Sequence, residues 1–229
     1  MDEPHEIGRA LDAELTAERE FVADARQTEH APKGWPAALL MFHVSMWRER
    51  LRNALNDISE GRPYAPPPDN ADEFNDGELA NGIGTPLADA AARSETLHQE
   101  IASLYEALGE RPFTWYSAKT TTEAVLRVSY MHPRIHLYEY VNENGDTPRA
   151  LRLLEDAAVD MRGANAPPLI LGAAIYNMAL VRVAQGKPQE AVKLLEEAIA
   201  LRSDLKAAAA ADDDLASLHE DAGFQELIG

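Results

Sequence analysis

Four long segments with apolar residues at helical spacing determine what this chain can fold into. They cover residues 6–29, 36–61, 85–109 and 118–144. Apolar side chains three and four positions apart share one face of a helix, and long helices bury such faces against one another. The pattern therefore predicts an all-α protein whose first part is a four-helix bundle.

The second and third segments are joined by a long connection, residues 62–84. It holds four prolines, three glycines and several Asn and Asp residues, which favour turns over helix. We expect no helix here. A connection of this length either forms a lid or pocket wall, or simply crosses the end of the bundle.

Charge and apolar patterning exclude several classes of partner. The chain has 39 acidic and 21 basic residues, a formal net charge of −18, so its surface repels nucleic acid and anionic membranes. No uninterrupted apolar segment reaches the ~18 residues that span a bilayer, and the acidic N-terminus does not resemble a signal peptide. We expect a cytoplasmic protein with no nucleic-acid or membrane partner.

The last third of the chain contains an internal repeat of 41 residues. Residues 145–160, GDTPRALRLLEDAAVD, and residues 186–201, GKPQEAVKLLEEAIAL, share glycine, alanine and leucine at corresponding positions. With the preceding residues 173–185, the second copy resembles a tetratricopeptide repeat. The sequence thus predicts two domains, a helix bundle over residues 1–144 and a tetratricopeptide-like segment with a C-terminal cap over residues 145–229.

The repeat-like segment is too short to stand alone. An independent solenoid needs about three repeats, and only about one and a half are present. We therefore expect the segment to be stabilised by packing against the bundle. The first copy contains only the second helix of such a repeat. The end of the fourth bundle helix, around Leu137 and Val141, is predicted to serve as its first helix. Two roles remain open: docking a protein partner, or bracing the bundle through Leu153, Leu154, Leu194 and Leu195.

Histidines are the main candidates for chemistry. The absence of cysteine removes thiolate ligands and nucleophiles, which leaves His, Asp and Glu. His132 and His136 are four apart and would share one face of a continuous helix. His43, in the middle of the second helix, is the best third ligand, and His98 is the alternative. The competing interpretation makes His43 an ordinary core residue and the pair an interface feature.

Pro133 lies inside the histidine pair and decides between these interpretations. Proline removes a backbone donor and disfavours a regular helix at its position. If the helix bends there and keeps the four-residue spacing, the metal site survives. If the helix breaks, His132 turns away and only a structural role remains.

Three stretches together resemble the DinB-like superfamily over residues 5–144: LLMFHVSMWRERL in the second helix, YAPPPDNADEFND in the connection, and SYMHPRIHLYEYVNENGD in the fourth helix. The resemblance implies a four-helix bundle that binds a divalent metal, often nickel or zinc, through His43, His132 and His136. It also implies a hydrolase or a thiol S-transferase that acts on a small molecule, with a low-molecular-weight thiol as cofactor in the second case. The alternative is a non-enzymatic scaffold.

Two further residues flank the predicted ligands. Glu139 is one turn beyond His136 and is the candidate general base or ligand partner, unless it only faces solvent. Trp47 is one turn beyond His43 and belongs either to the core or to a substrate platform. Because the second helix is apolar on more sides than one core needs, a homodimer is also expected.

Overall fold

The computed structural model describes residues 3–27 and 32–229, with side chains described from Glu6 onward. Its helices confirm the predicted all-α class, and the boundaries of the four long segments agree with prediction to within a few residues. Residues 28–29 of the first predicted segment lie outside the described ranges. The α-helices are α1 Glu3–Ala25, α2 Ala37–Ser59, α3 Ala71–Leu79, α4 Leu87–Leu108, α5 Thr121–Leu126, α6 His132–Glu143, α7 Thr147–Gly163, α8 Pro168–Ala184, α9 Pro188–Leu201, α10 Leu205–Ala211 and α11 Ala222–Ile228.

The long helices α1, α2 and α4 pack around a helix made of α5 and α6. Their apolar stripes meet in a core in which Leu51, Ile101 and Leu126 are fully buried. Burying apolar side chains of this size stabilises the fold by roughly 1.5–3 kcal/mol each. Among the described residues, none of the helices combines the length and the apolar content needed to cross a membrane.

The connection between α2 and α4 contains a helix, so the prediction of a helix-free segment was wrong. Helix α3 begins because the Asn70 side chain accepts hydrogen bonds from the backbone N–H groups of Asp72 and Glu73, which satisfies two free donors of the first turn. The helix is held on α2 by Trp47, whose Nε1 donates to Asn75 Oδ1 at 3.0 Å. The connection therefore lies against α2 as a wall.

A single close approach fixes the end of this connection. Gly82 lies on the ring of Phe42, where an added Cβ would be 2.4 Å from the nearest ring carbon. We expect Gly82→Ala to destabilise the fold by about 1–3 kcal/mol, since a buried ring would have to move. Gly77→Ala is the matched control: its Cβ would meet nothing within 4 Å, and alanine favours helix by about 0.5–1 kcal/mol. Urea unfolding followed by circular dichroism measures the change in unfolding free energy for both variants. If both substitutions destabilised the fold, or both stabilised it, the close contact between Gly82 and Phe42 would be contradicted.

A β-hairpin precedes the fourth long helix and was not predicted. Strands β1 Pro112–Trp115 and β2 Ala118–Thr120 pair antiparallel, with Trp115 opposite Ala118. The helix therefore begins at Thr121, three residues later than predicted, and the Thr120 side chain caps it by accepting from the N–H of Glu123. Tyr116 in the turn has a φ of 54°, a conformation that costs a non-glycine residue about 1–2 kcal/mol.

The repeat-like half packs partly on the bundle and partly on itself. Gly145 and Gly186, which correspond in the internal repeat, both adopt positive φ in the turns that lead into α7 and α9. Met161 of α7 belongs to the same core as Leu51, so that core continues across the boundary predicted at residues 144/145. Leu153 likewise packs on the N-terminal helices, whereas Leu194 and Leu195 pack among the C-terminal ones.

The predicted cap follows α9 and closes the C-terminal core. Leu215, Leu218 and Phe224 are almost fully buried there against α8 and α9. Tyr176 of α8 donates a hydrogen bond to Asp212 Oδ2 at 2.6 Å, which ties the cap to the repeat-like helices.

Two buried ion pairs cross the bundle core. Arg48 of α2 forms a two-pronged contact with Glu18 of α1, and Arg134 of α6 contacts Glu14 of α1 at 2.5 Å. All four side chains are at most 3% exposed. Burial raises the pKa of Glu14 to about 7, and the neighbouring Arg134 opposes that rise. Charged groups in such surroundings are tolerated only when paired, so the pairs fix how α1 sits against α2 and α6.

Candidate metal centre

The fourth helix passes through Pro133 without breaking. A π-helical segment, Arg127–Met131, joins α5 to α6 and gives one continuous helix over residues 121–143. The N–H of His132 bonds to the carbonyl of Arg127, five residues back. In a regular helix Pro133 would leave the Ser129 carbonyl without a donor, and here that carbonyl accepts from Arg48 Nη2 at 3.1 Å. The π-helical segment thus accommodates Pro133 within a continuous helix and keeps the four-residue spacing of His132 and His136.

The three predicted histidines meet at one point. Nε2 of His132 lies 3.0 Å from Nε2 of His43 and 3.1 Å from Nε2 of His136. The three residues form a group that could hold a metal ion, with one nitrogen from each and all three nitrogens within 4.8 Å of one another. His43 is 2% exposed, and the other two are partly buried. Helix α2 and the continuous fourth helix therefore present imidazoles to a common centre.

Hydrogen bonds among the three histidines do not satisfy all of their ring nitrogens. A neutral imidazole has one N–H and one lone pair, so His132 Nε2 cannot bond well to both neighbours. The Nδ1 atoms of His43 and His132 are buried and have no hydrogen-bond partner within the described part of the chain. Such a cluster is costly unless something compensates it. A cation bound by the three Nε2 lone pairs would remove the competition among the Nε2 atoms, although it would leave the Nδ1–H groups of His43 and His132 as they are.

Burial keeps two of the three histidines, His43 and His132, neutral. Burial lowers the pKa of His43 to about 3, and His136 adds to the effect. Burial also lowers the pKa of His132 well below its ordinary value of 6.5, with His136 and His43 contributing. At pH 7 both rings therefore carry a lone pair, which is the form that binds metal.

Glu139 lies against His136 and not at the common centre. Its Oε2 is 2.9 Å from Nδ1 of His136, and the Glu139 side chain is 52% exposed. A carboxylate in this position accepts a hydrogen bond from the Nδ1–H of His136 and so leaves the Nε2 lone pair directed at the cluster. Glu139 is thus placed as the hydrogen-bond partner of His136.

A cavity of about 250 Å³ opens beside the histidines. All three tryptophans of the chain, Trp35, Trp47 and Trp115, line it together with the three histidines. Ala71 and Asn75 close one side, so α3 forms a pocket wall, one of the two roles left open for the connection. Trp47 belongs to the core and also lines the cavity. It is 7% exposed and lies in the same apolar cluster as Leu51.

Trp35 covers the cluster from outside. Its ring centroid lies 5.2 Å from that of His43 and 6.2 Å from that of His136, and the residue is 39% exposed. A second cavity of about 250 Å³ is also lined by Trp35 and His136, together with Glu139 and Glu143. Sequence reasoning missed Trp35. Its position just before Pro36 and α2, eight residues ahead of His43, was the available signal.

His98, the alternative ligand, is not a member of the cluster. It is buried in the core on α4, where burial lowers its pKa to about 3 and Arg48 adds to the effect. The unfolded chain takes up this proton below pH 6.5 and the folded chain does not, so His98 makes the fold less stable as pH falls from 6.5 toward 3.

We therefore expect the stability deficit of His98→Gln to shrink by about 1.4 kcal/mol per pH unit between pH 6 and pH 4. Urea unfolding of both proteins in the presence of a chelator measures this difference. The contributions of Glu14, His43 and His132 cancel in the comparison, because both proteins keep them. Parallel pH profiles would show that His98 titrates normally.

Comparisons of the chain with known proteins give no family assignment. A scan against protein-family models and searches among curated proteins and solved structures found no match. The geometry of the three histidines and of the cavity beside them is therefore the basis for a functional proposal.

Proposed function

We propose that the chain is a divalent-metal-dependent enzyme that acts on a small molecule as a hydrolase or thiol S-transferase, in a detoxification role. The metal ligands are Nε2 of His43, His132 and His136. The observation that carries the proposal is their convergence, at 3.0 and 3.1 Å, beside a cavity lined by every tryptophan of the chain. The resemblance of residues 5–144 to the DinB-like superfamily supports the same ligand set.

The donor set favours zinc or nickel. Three neutral imidazoles suit these borderline ions better than magnesium or calcium, which prefer oxygen ligands. A metal ion bound by three protein side chains would supply Lewis acidity toward a carbonyl, a water molecule or a low-molecular-weight thiol in the cavity.

The chain's own residues prepare the site. Glu139 fixes the tautomer of His136, and burial keeps His43 and His132 neutral. Trp35, Trp47 and Trp115 limit the access of water, which strengthens electrostatic interactions inside the cavity. We assign Glu139 as a positioning residue, because its oxygen faces Nδ1 and lies on the side of the second cavity.

We further propose that the tetratricopeptide-like half braces the bundle and does not dock a partner. The packing of Leu153 on the N-terminal helices and of Met161 in the bundle core supports this role. Helix α7 lies directly on α6, the helix that carries His132 and His136, so bracing it would steady two of the three ligands.

Metal content of the protein purified without a histidine tag tests the proposal. We expect close to one zinc or nickel ion per chain in the native protein and a large loss in His136→Ala, because that variant leaves two ligands. Elemental analysis by mass spectrometry gives the ratio directly.

His219→Ala is the matched control, since it removes an exposed histidine of the C-terminal cap, outside the cluster. It should retain the native metal content. Native protein and His136→Ala that are equally free of metal, even after incubation with zinc or nickel, would refute the proposal.

A further inference from the structure

Arg127 lines the histidine cavity, and the described part of the chain places no acidic partner beside it. It stands at the start of the π-helical segment, where its Nη1 donates to Ser117 Oγ and its guanidinium lies 5.5 Å from the centre of the Tyr116 ring. Among the described residues no carboxylate lies within ion-pair distance of it, although the chain has 39 acidic residues for 21 basic ones. A half-buried, unpaired cation is costly, so its retention in a cavity points to a ligand.

The rest of the cavity has a different character. Trp47, Trp115 and Tyr116 provide aromatic surface, and Arg127 is the only basic side chain apart from the histidines in the described lining. One guanidinium balances one negative charge and offers a planar fork that matches a carboxylate. Against the chain's own side chains alone, a phosphate dianion would remain half uncompensated.

Tyr116 contributes at a conformational cost. Its φ of 54° would suit glycine or asparagine, yet the chain places there a large ring that lines the cavity and flanks Arg127. The Tyr116 hydroxyl donates to the Pro68 carbonyl at 2.8 Å, which holds the ring against the connection. The strained turn thus keeps an aromatic wall next to the guanidinium.

We infer that the substrate is a small carboxylate with an apolar, aromatic-sized body: Arg127 binds the carboxylate, and Trp47, Trp115 and Tyr116 enclose the body next to the histidines. This inference rests on the proposed function only for the chemistry that follows binding. The recognition itself depends on Arg127 and the cavity.

A matched pair of probes tests it, 3-phenylpropionate and its neutral amide, 3-phenylpropionamide. Because all three tryptophans line the cavity, their fluorescence reports binding. We expect the native protein to bind the carboxylate at least about tenfold more tightly than the amide, the size of one charge-assisted hydrogen bond. Arg127→Gln should lose this preference while its amide affinity stays within about twofold.

Two variants control the experiment. Arg127→Lys keeps the charge and should keep part of the preference, which guards against a folding defect in Arg127→Gln. Arg162→Gln removes an arginine that pairs with Glu197 away from the cavity, and it should behave like the native protein. Each titration is run on zinc-loaded and on chelator-treated protein, because a metal ion would also attract a carboxylate.

The outcomes separate this inference from the proposed function. The inference is overturned if the native protein binds neither probe, or if it shows no preference for the carboxylate after chelation. It is also overturned if Arg127→Gln keeps the preference. Metal content measured on the same samples judges the function independently. Native protein without metal but with an Arg127-dependent preference would uphold the inference and refute the metal-dependent enzyme.

Discussion

Replacing His43 with alanine is expected to weaken zinc or nickel binding by at least about 100-fold. His43 is the only ligand supplied by α2, and its loss leaves the His132 and His136 pair on one helix. Loss of a residue that only orients a ligand costs about 10–100-fold, so loss of a ligand should cost more. Competition titration against a chromophoric chelator measures the affinity.

A graded series of variants makes this result specific. Glu139→Gln should cost about tenfold, since it removes the carboxylate that fixes His136 but keeps all three ligands. His98→Ala removes a buried histidine outside the cluster and controls for a general loss of packing. If His98→Ala weakened binding as much as His43→Ala, the effect would reflect destabilisation of the bundle and not ligation.

Replacing Arg48 with methionine is expected to destabilise the fold by about 3–5 kcal/mol. The change leaves Glu18 buried without its cation and removes the donors to Ser94 Oγ and the Ser129 carbonyl. Removing Glu18 as well, in Arg48→Met with Glu18→Met, should recover much of the loss, because no uncompensated charge remains. Urea unfolding of the two single variants and the double variant measures these terms.

The surface pair formed by Arg19 and Glu95 is the matched control, since it joins α1 to α4 with exposed side chains. Arg19→Met should have little measurable effect. Arg48→Met should also weaken metal binding, because the Ser129 carbonyl that it releases lies in the π-helical segment just ahead of His132. An Arg48→Met protein within 1 kcal/mol of the native stability would contradict this explanation of the buried pair.

The group of three histidines could be predicted from the spacing of one pair, from the position of His43 in an apolar helix, and from the resemblance to the DinB-like superfamily. His132 and His136 are four apart on one helix, and His43 lies mid-way along another. The sequence did not show whether Pro133 would break the helix and turn His132 away from the other two histidines. The answer depends on a π-helical segment and on Arg48, which comes from α2 to satisfy the Ser129 carbonyl.

Other features were missed for identifiable reasons. Helix α3 was hidden by the prolines before it, although Asn70 followed three residues later by Glu73 is a helix-start signal. The hairpin at Trp115 lacks the Asn-Gly or Asp-Gly turn that marks such structures, since Tyr116 and Ser117 occupy it. Glu14 and Glu18 look like a solvated helix face, and only the fold brings the arginines to them.

The role of the cavity also depended on three-dimensional placement. Trp35, Trp47 and Trp115 are spread over 81 positions of the sequence and come from the bend before α2, from α2 and from β1, yet they line one space. Nothing in the spacing of Arg127 distinguishes it from arginines on solvated faces. That no carboxylate of the described residues pairs with it becomes visible only with the fold.

X-ray absorption spectroscopy of the zinc-loaded protein tests the three-histidine centre most directly. We expect one zinc ion per chain whose absorption fine structure shows three imidazole ligands with nitrogen at about 2.0–2.1 Å. His43→Ala should lower the imidazole count by one or abolish binding. Zinc bound only through oxygen, or an imidazole signal unchanged in His43→Ala, would contradict a metal centre formed by His43, His132 and His136.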